Sequence, residues 1–202
     1  MKTRQRIYLV FKRLIGLFGS IAGIVFCLVF LWWWVFPINL IVTKGHPLFA
    51  HERYGKNKKV FKLLKFRSMK MEANRNLPPS EMTTETQRSM ETKFGRFLRK
   101  TSIDETPQLF NIFIGQMAFI GPRPGAAHNE EGLVQFREKY QPNAFDVKPG
   151  LSGLAQLKLH RKHTPEEKAY YDHLYAEQIC FLLDAKIFVL TVLSIFGSSK
   201  GK

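Results

Sequence analysis

Residues 14–42 read LIGLFGSIAGIVFCLVFLWWWVFPINLIV, a run of 29 positions without a charged residue. A bilayer span takes about 20 apolar residues as helix. At about 1.5 Å per residue this run reaches roughly 43 Å, well past a hydrocarbon core about 30 Å thick. The pattern therefore predicts a membrane segment that tilts, kinks or turns back. Beyond it, PLFAHER and KVFKLLKFR flank Tyr54-Gly55-Lys56-Asn57 and predict a β-hairpin over 47–67. Residues 72–92 are polar, carry Pro78-Pro79 and read as a loop. Phe94, Phe97 and Leu98 recur at helical spacing, with Arg96, Arg99 and Lys100 on the other side. Pro107 opens a helix expected to reach Phe113 and stop at Gly115. Gly121-Pro122-Arg123-Pro124 and Lys148-Pro149-Gly150 interrupt regular structure. Thr164-Pro165-Glu166-Glu167 starts a helix carrying Tyr170, Tyr171, Leu174 and Tyr175. The apolar stretch 179–196 holds Asp184 and Lys186, so it predicts an interfacial or core helix and not a second span.

Charge changes the reading of the membrane segment. Lys and Arg number 31 against 16 Asp and Glu, a net +15, which calls for an anionic partner. The basic start resembles a secretory signal, but the apolar run is too long and lacks a small-residue cleavage site. Lys2, Arg4, Arg6, Lys12 and Arg13 precede the run; Lys44, Arg53, Lys56, Lys58, Lys59 and Lys62 follow it. Cytoplasmic flanks carry the basic excess, and a segment that enters, breaks and leaves on one side satisfies both ends. Pro37 is the strong helix breaker; Gly16, Gly19 and Gly23 are weaker ones. A tilted single span is the alternative, and charge alone favours neither. Cys27 and Cys180 are too few for a disulfide scaffold or a Cys-rich zinc site, and the 6 His show no paired ligand spacing.

Candidate chemistry concentrates in residues 99–124, RKTSIDETPQLFNIFIGQMAFIGPRP. Asp104 and Glu105 are adjacent acids in a basic neighbourhood, just before the helix expected at Pro107. Ser102 and Glu105 have capping-box spacing, which would explain the pair without function. A carboxylate there is equally suited to attack phosphorus or to ligate Mg²⁺. Arg123 sits on a turn stiffened by Pro122 and Pro124, either a rigid mount for binding phosphate or a loop arginine in solvent. Lys65 and Arg67 lie two apart, on one face of an extended strand, to hold a diphosphate or else to form a solvated strand face. Arg99 and Lys100 add to the positive field.

KFRSM (65–69), LRKTSIDETPQLFN (98–111), GPRP (121–124) and KPGLSGLAQ (148–156), in this order, resemble the bacterial sugar transferase family, the monotopic phosphoglycosyl transferases. The resemblance covers roughly residues 44–192. It implies an α+β, mostly helical fold: a re-entrant or single-span membrane helix, a short β-hairpin and amphipathic interfacial helices around a compact catalytic core. Residues 1–43 would be the basic segment and membrane helix, and 44–202 a cytoplasmic domain seated on a bacterial inner membrane. The implied reaction passes a sugar-1-phosphate from a UDP-sugar to polyprenyl phosphate with Mg²⁺ and releases UMP. Asp104 matches the family's nucleophile and would carry the covalent phosphosugar; Glu105 matches its partner. Lys65, Arg99 and Arg123 match basic residues for substrate phosphates; Arg67 is a candidate by its strand spacing from Lys65, and Asp104 a metal ligand by its carboxylate. Pro37, Pro107, Pro122, Pro124, Pro149 and Gly150 are structural motif positions. Anionic lipids are implied partners, nucleic acid is not, and homo-oligomer formation stays open.

Three departures stand out. The family's membrane segment has a Ser-Pro break that, counted from Lys12-Arg13, falls near Leu28-Val29; here the proline is Pro37. An Asp expected after the Lys-Arg pair is replaced by Gly16. His51 stands where Gln is common in the family, with Arg53 and Gly55 kept. The basic stretch 157–163, with His160 and Arg161, is read either as pocket lining or as a solvated loop near anionic lipid. The competing function class is a membrane-anchored basic scaffold or regulator without catalysis. A nucleic-acid binder lacks its motifs here and has no use for an acidic pair inside its most basic stretch.

Overall fold

The computed structural model describes residues 3–69, 90–127, 131–159 and 163–197. The apolar run is helical throughout. Helix α1 (Thr3–Cys27) passes through a π-helical turn (Leu28–Trp32) into α2 (Trp33–Thr43). Thr3–Thr43 is long and apolar enough to cross a membrane, and Phe11, Phe18, Val25, Phe30, Trp33 and Ile41 face outward from it. Ser20, Cys27, Trp32, Val35, Asn39 and Thr43 are buried. The expected break at Pro37 is not found, because Pro37 lies inside α2. The irregular turn lies instead at 28–32, where counting from Lys12-Arg13 put the family's proline. Gly19 and Gly23 do not interrupt α1 either. A Cβ on Gly19 would lie 2.8 Å from the Phe119 ring, and one on Gly23 3.1 Å from Leu109, so both admit close neighbours.

The hairpin is where the alternation places it. Strands β1 (Leu48–Tyr54) and β2 (Val60–Phe66) form a two-stranded sheet. The turn between them puts Asn57 and Lys58 at φ 55° and 57°. Of the polar stretch 72–92, residues 72–89 lie outside the described residues.

The chain forms two compact units, each assembled from separate stretches. One comprises Ile21–Ala50 and Leu64–Phe110. Its core joins Cys27, Trp32, Val35, Phe66 and Leu98. Trp32 Nε1 donates to Thr106 Oγ1 at 2.9 Å, and its ring stacks on Phe110. Helix α3 (Lys93–Lys100) buries Leu98 here. Phe97, expected on the same apolar face, is 45% exposed, since only one edge of this short helix meets the core.

The other unit comprises Met1–Ser20, His51–Leu63 and Asn111–Lys202. It holds a parallel pair unforeseen from the sequence, β3 (Ala118–Ile120) with β4 (Gly150–Ser152), Ala118 facing Gly150. Gly150, read as a structure breaker, therefore opens a strand. Helices α5 (Glu131–Glu138), α6 (Leu154–Lys158), α7 (Pro165–Gln178) and α8 (Phe181–Gly197) follow in turn; α4 (Gln108–Phe113) precedes β3 and starts one residue after Pro107. Thr164 caps α7 in the expected capping box. The core joins Ile120, Val147, Tyr175, Ala176, Ile179 and Ile187. Asp184 of α8 is buried within it. It pairs with Lys12 at 2.6 Å and accepts from the hydroxyls of Tyr8 and Tyr175 at 2.5 and 2.6 Å. These bonds tie α8 to α1, while Phe181, Leu182, Phe188 and Leu193 stay exposed.

Candidate active site

Asp104 and Glu105 lie in a 3₁₀ turn, Ile103–Glu105. Ser102 has φ 58° and ends the preceding helical stretch; its side chain caps nothing. The capping explanation for the acidic pair is thereby removed. Glu105 turns to Lys65 of β2, whose Nζ donates to Glu105 Oε1 at 2.8 Å. Asp104 is only 7% exposed. Burial raises its pKa above the usual carboxylate value; the charges of Lys65 and Arg99 pull it down, and Glu105 pushes it up.

Arg99 is positioned by α3. Thr92 caps that helix by accepting from the Gly95 N–H at 2.8 Å. A Cβ at Gly95 would stand 2.1 Å from the Ser68 carbonyl oxygen, so only glycine lets α3 press against the end of the KFRSM segment. Arg99 Nε then donates to Ser68 Oγ at 2.8 Å, and its guanidinium also pairs with Glu91. Lys65, Arg99, Asp104 and Glu105 thus come together in one unit. Arg67 follows the last residue of β2, and its N–H donates to the Pro47 carbonyl. The single strand face expected for Lys65 and Arg67 stops at Phe66.

Arg123 belongs to the other unit, on a turn fastened by backbone contacts. Gly121 N–H donates to Ser152 O at 2.8 Å and Gly150 N–H to Pro122 O at 2.9 Å. A Cβ on Gly150 would lie 2.0 Å from the Gly121 nitrogen, and one on Gly153 2.3 Å from the Gly121 oxygen. The GPRP and KPGLSG motifs are therefore two sides of one backbone junction. Pro122, Pro124 and Pro149 are buried in it. Arg137 of α5 holds the turn from beneath. It forms an ion pair with Asp172 of α7 at 2.5 Å, both side chains 2% exposed, and Nη2 donates to the Arg123 carbonyl at 2.8 Å. Neither residue stood out in the sequence. The available signal was Asp172 at helical spacing with Ala169, Tyr175 and Ala176, an acid on a buried face.

The β-hairpin braces the same turn. Tyr54 N–H donates to Gly125 O and Arg53 Nη1 to Pro124 O. Arg53 Nε donates to His51 Nε2 at 3.0 Å, so His51 supplies an acceptor at the position that departs from the family. Of the basic stretch 157–163, residues 160–162, with His160 and Arg161, lie outside the described residues.

Among the described residues no group of three or more His, Cys, Asp or Glu could hold a metal. Mg²⁺ does not require one, since it keeps several waters and binds through one or two carboxylates plus substrate phosphates. The lone carboxylate of Asp104, with Glu105 committed to Lys65, fits that mode.

A family model described as bacterial sugar transferase matches residues 7–198. A UDP-glucose:undecaprenyl-phosphate glucose-1-phosphate transferase of Klebsiella pneumoniae is 39% identical over 176 residues, covering 79% of this chain and 36% of that protein. A protein of the same name from Escherichia coli (strain K12) is 38% identical over 160 residues, covering 76% of this chain and 33% of that protein. The exopolysaccharide production protein PSS of Rhizobium leguminosarum bv. phaseoli is 31% identical over 202 residues, covering 96% of this chain and 98% of that protein. The chain thus spans about a third of the length of the first two and nearly all of the third.

Proposed function

Because the chain belongs to the bacterial sugar transferase family, we propose that it transfers a sugar-1-phosphate from a UDP-sugar to polyprenyl phosphate at the cytoplasmic face of a bacterial inner membrane. The observation that carries the reading is Asp104: a buried carboxylate beside the Lys65–Glu105 pair, within the field of Arg99. In the first step an Asp104 oxygen attacks the sugar-bearing phosphorus of the UDP-sugar. The bond from that phosphorus to the bridging oxygen breaks, and UMP leaves. In the second step the polyprenyl phosphate oxygen attacks the same phosphorus. The lipid diphosphate sugar forms and the Asp104 carboxylate is restored.

Lys65 and Arg99 offset the negative charge that would otherwise keep a carboxylate from a diphosphate. Glu105 positions Lys65. Arg67 and Arg123 are assigned to substrate phosphates, Arg123 on a stiff mount. Mg²⁺, when bound, adds Lewis-acid neutralisation of the phosphates, and Asp104 is the residue to hold it. The helix Thr3–Thr43 and the exposed apolar side of α8 seat the protein in the membrane among anionic lipids.

The test is UMP release by the membrane-embedded protein with Mg²⁺, polyprenyl phosphate and a panel of UDP-sugars that includes UDP-glucose and UDP-galactose. Asp104→Asn should cut turnover more than about 10³-fold. Near-normal activity in that variant would remove Asp104 as nucleophile.

A further inference from the structure

Three cations from distant parts of the sequence face one cavity of about 70 Å³: Arg13 of α1, Lys56 of the hairpin turn and Lys148 of the KPG motif. None of the described lining residues is acidic, and the fourth cation, Lys12, is already paired with Asp184. Gly115 makes the convergence feasible. It has φ 86°, and a Cβ there would lie 3.1 Å from Arg13 Cζ and 3.3 Å from Lys148 Nζ. Arg13 is oriented by donating to the carbonyls of Ile112 and Phe113, which leaves further N–H groups of its five. Burial lowers the Lys148 pKa, and the charges of Arg13 and Lys56 lower it again. Like charges gathered without a counterion are what an anion would stabilise.

The chemistry of the anion follows from position. Arg13 is the last charged residue before the apolar run, so it stands at the depth of lipid phosphates once that run is in a membrane. The rest of the wall, including Leu9 and Val147, is apolar, which suits a lipid neck and gives a nucleotide base no polar edge to bind. We propose that Arg13, Lys56 and Lys148 form a binding site for the phosphate of an anionic membrane lipid. The site lies in the unit that does not contain Asp104. The inference rests on the membrane seat of the proposed function and not on its chemistry.

The test uses the full chain in nanodiscs of neutral phosphatidylcholine, with increasing mole fractions of phosphatidylglycerol and Tm read from tryptophan fluorescence. Parent protein should gain stability in a saturating manner. Lys148→Gln and Lys56→Gln should each need about fivefold more phosphatidylglycerol for half the gain, while Lys93→Gln, which removes an equal charge elsewhere, should behave as the parent. Parent-like titrations of both Lys148→Gln and Lys56→Gln would overturn the site. So would saturation by inorganic phosphate alone, or a gain produced only by polyprenyl phosphate. UMP release measured on the same samples reads the reaction separately, so its failure is distinguishable from failure of the lipid site.

Discussion

The two charged regions assigned to substrate are built in opposite ways. Around Asp104 the charges rest on side chains: Lys65 on Glu105, Arg99 on Ser68 and Glu91. Lys65 and Glu105 are about a fifth exposed, so a solute that enters from solvent can reach the pair. Around Arg123 the support is backbone, proline, glycine and an ion pair closed off from water. In the proposed reaction the surroundings of Asp104 would change charge partners, whereas the Arg123 turn would hold its shape. A fixed cation and an exchangeable one need different foundations.

The sharpest way to break this contrast is Arg137→Ala. It removes the buried ion-pair partner of Asp172, which should cost about 3–5 kcal/mol and show as a large fall in Tm. An unchanged Tm would mean the Arg123 turn does not depend on its ion pair. Gly150→Ala drives a methyl into the Gly121 backbone and should cost about 3 kcal/mol in denaturant titrations; a neutral result would show that the junction can open. On the other side, Thr92→Ala removes the cap of α3 and should cost only about 1 kcal/mol. Its effect on kcat/KM should exceed its effect on Tm, because Arg99 rides on that helix.

On the proposed mechanism attack requires ionised Asp104, so activity should fall as pH drops through its raised pKa. Lys65 lowers that pKa, so Lys65→Met should move the acid limb of the kcat/KM profile to higher pH. Glu105 raises it, so Glu105→Gln should move the limb to lower pH. Unmoved limbs would show that the cluster's field does not reach the nucleophile.

What was readable from the sequence is what local pattern encodes. The charge-free run, the hairpin and the capped start of α7 carry their signals within a few residues of each other. The acidic pair and the cations around it were readable because they sit inside motifs. The parallel strands were hidden because each has three residues and its partner is about thirty positions away. Their glycines looked like breakers, yet they are what lets two backbones touch. The partnerships of Arg137, Asp172 and Asp184 were hidden for a related reason. A buried ion pair is visible only when both partners are in place, and these come from different helices.

The π-helical turn has a consequence for helix phase. Ser20 and Cys27 are seven apart, and Trp32, Val35, Asn39 and Thr43 follow at three and four; both spacings keep one face of an α-helix. Between Cys27 and Trp32 the step is five, which would rotate the second set away from the first by about a hundred degrees in an unbroken α-helix. The wide turn takes up the surplus residue. The surplus residue is thereby taken up within Leu28–Trp32, and Trp32 stays in register to bond Thr106.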